Sequence, residues 1–128
     1  MILKVPSIRN LTSEGQRMAP KSNPLRLNNL QLKTLAILQV LGASPETSTP
    51  GDNSEKIITS LPYPHGDHFH IADKVVSAQN ATGLFNPSVW KALERKGLVR
   101  SDSEKNKILT QAGCSYETRI TDEIIVSS

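Results

Sequence analysis

The stretch NPSVWKALERKGLVRSDSEKNKILTQAG, residues 86–113, constrains the fold more than any other part of the chain. Asn86 can cap a helix with its side-chain oxygen, and Pro87 suits the first turn, where no backbone donor is required. Val89, Ala92, Leu93 and Lys96 then recur at spacings of three and four, which makes one stripe, while Ser88, Lys91, Glu94 and Arg95 look outward. Trp90 lies at the edge of the stripe. Gly97 ends the helix and lets the chain turn directly into a strand, Leu98-Val99-Arg100, with Leu98 packing that strand back onto the helix. SDSEKNK reads as a polar hairpin tip, Ile108-Leu109-Thr110 as the returning strand, and Gln111 to Gly113 as the start of a short turn or helix. Helix, strand and strand in immediate succession predict an α+β domain.

The remainder organises around that unit. Residues 1–26 mix Pro, Ser, Asn, Gly and scattered charges without a period, which predicts a flexible N-terminal arm. NNLQLKTLAILQVLG reads as a buried helix: Asn28 or Asn29 can cap it, apolar residues crowd more than one face, and Gly42 offers the stop. ASPETSTPGDNSE has no face to bury and predicts a long loop. Lys56 to about Leu61 predicts a short strand closed by Pro62 and Pro64, and residues 68–71 a further extended piece. ADKVVSAQN predicts a short helix capped by Asp73 with Val75, Val76 and Ala78 inward, and Gly83 turns the chain toward Asn86. The expected division is an arm over 1–26 and one domain over 27–128, with a loop inserted at about 43–70. No internal repeat appears.

At 128 residues, 37% of them apolar and only 4% aromatic, the chain can bury one core. No apolar run approaches the roughly 20 residues of a membrane helix, and the apolar start is too short for a secretory signal, so the expectation is a soluble, cytoplasmic protein with no membrane partner. A single cysteine, Cys114, agrees with a reducing compartment. The net charge of +3 is unevenly spread. Residues 1–30 hold five bases against one acid and residues 31–73 two against five; residues 74–107 hold seven against three, and the rest one against three. Two basic blocks therefore flank an acidic middle.

Helix, short helix, turn, amphipathic helix and charged hairpin follow the order of a winged helix-turn-helix. WKALERKGLVRSD followed by ILTQAG resembles winged-helix regulators, including the multiple-antibiotic-resistance type, in which a Lys-Gly-Leu-Val/Ile run ends the recognition helix and Leu-Thr-x-x-Gly ends the wing. Lys96, Gly97, Leu98 and Val99 match the first run, and Leu109, Thr110 and Gly113 the second. The order of elements covers residues 28–113, and the motif itself about twenty residues. The resemblance implies three helices with a small antiparallel wing and a non-enzymatic, DNA-binding transcriptional regulator. Ser88 and Lys91 would then reach base edges or phosphates, Arg95 the backbone, and Lys74 and Arg100 further phosphates, a homodimer suiting paired half-sites. Winged helices also serve as protein-interaction modules, and the wing here carries Asp102 and Glu104 beside Lys105 and Lys107, with Glu94 on the helix face that would meet DNA.

All three histidines fall in PYPHGDHFHIADK. Zinc takes three or four nitrogen, sulfur or carboxylate ligands in a tetrahedron, and in an extended segment His68 and His70 point to one side while Gly66 lets His65 fold over. PHGDHFH resembles the His-x-x-His-x-His zinc motif of streptococcal histidine-triad surface proteins over seven residues. The expectation is that His68 and His70 lie on an edge strand and hydrogen-bond with Asp67, Asp73 or backbone; the alternative is a zinc site of His65, His68 and His70, which would make the chain a zinc-responsive regulator. No serine, cysteine or second carboxylate sits at a catalytic spacing, so an enzyme is not expected.

Overall fold

In the computed structural model, which describes residues 23–62 and 64–127 and only the backbone of Pro64 and His65, the first helix, α1, spans Asn29–Ala43. Its start is fixed reciprocally: the Asn28 side chain accepts from the Gln31 amide at 2.8 Å, and the Gln31 side chain accepts from the Asn28 amide at 3.0 Å. The helix runs through Gly42, which the sequence offered as its stop, and ends at Ser44. Thr34, Leu35, Ala36, Ile37, Leu38 and Leu41 are all buried on it, so α1 is the central column of the core.

Two four-stranded antiparallel sheets pack into the same core. β1 (Ser48–Pro50), β2 (Lys56–Ile58), β6 (Val99–Ser101) and β7 (Lys107–Leu109) form one in the order β1-β2-β7-β6. β3 (Pro64–His65), β4 (His68–Ile71), β5 (Lys74–Ser77) and β8 (Ile125–Ser127) form the other in the order β3-β4-β5-β8. Between β5 and α2 (Pro87–Arg95) lies a 3₁₀ helix, Ala78–Phe85, and α3 (Gln111–Ser115) and α4 (Thr121–Ile124) lead from the first sheet to the second. The architecture is thus α+β, as the sequence predicts, with four α-helices among the described residues where three helices were expected.

Within the insertion over 43–70, the strand expected from Lys56 and the extended piece expected at 68–71 are present as β2 and β4, and two further short strands, β1 and β3, stand where loop was expected. The short helix expected from Asp73 is instead β5, and the helical segment begins only at Ala78. The physical reason is non-local: Val75 and Val76 pair with His70 and Phe69 on one side and with Val126 and Ile125 on the other, so both edges of this β-branched segment find partners. Asp73 caps no helix and sits in the turn between β4 and β5.

The arm expected over 1–26 lies outside the described residues up to residue 22, and the described remainder is tied down. The Leu25 amide donates to the Tyr116 hydroxyl at 3.1 Å, the Lys96 ammonium donates to the Leu25 carbonyl at 2.7 Å, and Leu27 is buried.

The unit from α2 to α3 is as the sequence lays it out. Val89, Ala92 and Leu93 are buried and Ser88, Lys91, Glu94 and Arg95 exposed. Fully burying a side chain such as Leu93 stabilises by about 2 kcal/mol, so tertiary contact rather than propensity holds a helix of nine residues. Its end is a Schellman closure: Gly97, at φ 77°, donates to the Glu94 carbonyl, and Leu98 to that of Leu93, both at 3.0 Å. The next residues then run directly into β6.

Candidate functional site

Ser88, Lys91 and Arg95 share an exposed face of α2 because they are spaced three and four apart on a helix whose opposite face is fixed in the core. The Asn86 side chain accepts from the Ser88 amide at 2.9 Å, so the first turn is ordered up to the residue that begins this face. Glu94 is exposed on the same helix, between the bases. Lys96, the stripe residue that is not apolar, is half-buried and spends its ammonium on the Leu25 carbonyl.

Beside α2, the β6–β7 hairpin has a tip built by one side chain. The Asp102 carboxylate accepts from the Glu104 amide, the Asn106 amide and the Asn106 side chain, each at 2.9 Å. These donors, the Asn106 side chain foremost, hold the Asp102 carboxyl below its ordinary range. Its charge therefore organises the tip, while Lys105 and Lys107 stay exposed. Lys107 places its ammonium 4.8 Å from the centre of the Trp90 ring, whose N–H donates to the Leu84 carbonyl at 2.7 Å.

Two of the residues expected to meet phosphate lie elsewhere. Arg100, on β6, reaches past β7 to Glu55 and makes a two-pronged pair, Nη2 to Oε1 at 2.7 Å and Nε to Oε2 at 3.0 Å. That hydrogen bonding lowers the Glu55 carboxyl and raises the Arg100 guanidinium from their ordinary values. Lys74 stands half-buried at the start of β5, in the second sheet, opposite Ser127 and Ile71.

A feature that the sequence reading missed adjoins α2. Leu61, Phe85, Pro87 and Trp90 line an open groove of about 410 Å³, with Lys91 and Lys107 among its lining residues. Phe85 is 53% exposed and stacks on the buried Phe69 at 6.1 Å. The one hint of it in the sequence is Trp90 at the edge of the helix stripe; Leu61 comes from a segment distant along the chain.

The histidine stretch forms a hairpin on the second sheet. β3 and β4 are joined by Gly66 and Asp67, with Gly66 at φ 68°, and the register sets His65 directly opposite His68. Phe69 and Ile71 are buried, so His68 and His70 share the other face. Their Nε2 atoms are 3.1 Å apart, their ring centres 4.8 Å apart and their planes at 79°. Asp67 Oδ1 lies 3.3 Å from His68 Nδ1. The side chain of His65 lies outside the described residues, and among the described side chains no group of three or more His, Cys, Asp or Glu is placed to hold a metal. Cys114 is half-buried near the Lys56 end of β2, and burial pushes its thiol up, away from the thiolate a nucleophile needs. Among the described residues no helix is long and apolar enough to cross a membrane. Comparison of the chain with protein-family models, curated proteins and solved structures gives no match.

Proposed function

We propose that this chain is a non-enzymatic, cytoplasmic DNA-binding regulator of winged-helix type, with α2 as the recognition helix and the β6–β7 hairpin as the wing. The observation that carries the reading is that the basic face of α2 belongs to a helix locked rigidly to that hairpin. Thr110 Oγ1 donates to the Gly97 carbonyl at 2.7 Å and accepts from the Gly113 amide at 3.1 Å. A side chain at Gly113 would collide with the Leu98 carbonyl, so the residues of the regulator-like motif pack on one another. The pairing of β2 with β7 supports it too, since it sets a strand from the segment between α1 and α2 beside the hairpin, as a three-stranded winged-helix sheet requires. In this reading Ser88 and Lys91 face the groove of the duplex and Arg95 its backbone. Lys74 stands off that face, and Arg100 reaches a phosphate only by releasing Glu55. Two copies would read paired half-sites.

Fluorescence anisotropy of a labelled duplex across a salt series tests this. Binding should weaken steeply with salt, and the Lys91→Ala, Arg95→Ala double substitution should reduce the slope of log affinity against log salt by about 1.8, as two lost phosphate contacts require. Absence of binding near 10 μM protein at about 50 mM salt would overturn the proposal, because even sequence-independent binding reaches about that strength.

A second reading has its own observation. The groove of Leu61, Phe85, Pro87 and Trp90 presents apolar surface where DNA would approach the start of α2, which suits a protein partner better than a phosphate backbone. Association that resists salt and is abolished by Phe85→Ser would favour it.

A further inference from the structure

We infer that His68 and His70 form a surface chelate for a divalent transition-metal ion that prefers imidazole nitrogen, zinc being the one to test. The inference is independent of DNA binding, since the two histidines lie on β4 of the second sheet and the DNA face on α2.

The argument is geometric. Two imidazoles that bind one ion aim their nitrogens at a common point rather than at each other. Their ring centres then stand further apart than their nitrogens in a fixed proportion. With a metal–nitrogen bond of about 2.1 Å and a ring centre about 1.1 Å behind the nitrogen, that proportion is about 1.5. The observed separations, 4.8 Å between centres and 3.1 Å between Nε2 atoms, stand in that proportion. A head-on N–H···N hydrogen bond of the same length would set the centres about 5.3 Å apart, so the hydrogen bond the two rings make is a bent one, with both nitrogens turned toward a shared side. The 3.1 Å separation also falls between the roughly 3.0 Å of adjacent ligands at right angles and the roughly 3.4 Å of a tetrahedral edge. The rings can therefore receive an ion with little rearrangement.

Two further features orient the pair. Strand alternation puts both histidines on one face while Phe69 and Ile71 anchor the other in the core, so the backbone beneath them is fixed. Asp67 Oδ1, 3.3 Å from His68 Nδ1, favours the tautomer that keeps its proton on Nδ1 and leaves Nε2 to bind, the arrangement of a carboxylate behind a ligating histidine. For the ion to bind, the proton between the two Nε2 atoms moves by way of solvent to the Nδ1 of the ring that carried it, so that each neutral ring presents an unprotonated Nε2.

The test is titration of the full chain, prepared without a polyhistidine tag, with zinc chloride against a competing chromophoric chelator. One equivalent should bind at or below about 100 μM. His68→Ala and His70→Ala should each weaken binding by at least about tenfold, while Cys114→Ser, which removes the other soft ligand, should leave it unchanged. His70 is exposed, so its substitution leaves the core intact, and Trp90 fluorescence reports that the variants remain folded. No uptake by the wild-type chain, wild-type affinity in folded His70→Ala, or loss of binding in Cys114→Ser would each overturn the inference.

Discussion

Replacing Gly83 by alanine tests how closely the 3₁₀ helix is docked on α1. A methyl group at this position would overlap Thr34 Oγ1 outright and stand 3.3 Å from Thr34 Cβ and 3.4 Å from Leu30 Cδ1. Thr34 is fully buried, and its hydroxyl donates to the Leu30 carbonyl at 2.8 Å, so it has no open space to turn into. Relief requires both that the 3₁₀ helix give way from α1 and that this hydrogen bond break. Overpacking of this kind costs about 1–3 kcal/mol and a lost buried hydrogen bond about 1 more, so Gly83→Ala should destabilise by about 3 kcal/mol. In urea, with a slope of about 1.5–2 kcal/mol per molar, the midpoint should fall by roughly 1.5–2 M. Thr34→Ala alone removes the hydroxyl and a methyl group and should cost about 1 kcal/mol. In the double variant the 3.3 Å approach to Cβ and the 3.4 Å approach to Leu30 Cδ1 are left, which a shift of a few tenths of an ångström relieves. Its cost should therefore be about 2 kcal/mol rather than the roughly 4 expected of independent sites, a coupling of about 2 kcal/mol. A double variant no more stable than the sum of the singles, or Gly83→Ala within about 0.5 kcal/mol of wild type, would refute the reasoning.

Glu55→Gln should lower the urea midpoint slightly at neutral pH and low salt, the pair with Arg100 being exposed. Because the Glu55 carboxyl titrates below its ordinary value when folded, its contribution is present above the ordinary carboxylate range and is lost as pH falls through the lowered one. Wild-type and variant midpoints should therefore converge in acid and in high salt, and a gap that widens toward low pH would contradict the pairing. Lys107→Ala removes the cation over Trp90, the single tryptophan, and should shift its emission while costing no more than about 1 kcal/mol. An unchanged spectrum would show that the contact is not populated in solution.

The readable parts of the fold are those whose causes lie within a few residues. Asn28 caps α1 and Asn86 caps α2 through side chains that reach amides two or three positions on, and Gly97 closes α2 in a conformation glycine favours. The strand at Lys56 and the two strands of the β6–β7 hairpin carry their own β-branched and turn signals. The valines of β5 fit a helical period as well as an extended one; what decides is their pairing with Val126 and Ile125, which no local pattern announces. The candidate DNA face follows the same division. The outward set of Ser88, Lys91, Glu94 and Arg95 follows from spacing alone. The engagement of Arg100 by Glu55 and the turn-building role of Asp102 depend on where the chain folds back.

The closing of the second sheet by β8 also bears on the order in which the chain folds. The 3₁₀ helix, α2, the β6–β7 hairpin and α3 are near neighbours in sequence and can form through short-range contacts, whereas Val75 must wait for Val126. Until that long closure is made, the β4–β5 hairpin carries an open, valine-rich edge of unpaired backbone groups. During refolding, that edge is where two molecules would join wrongly, so the yield of correctly folded protein should fall with protein concentration even when the isolated folding step is fast.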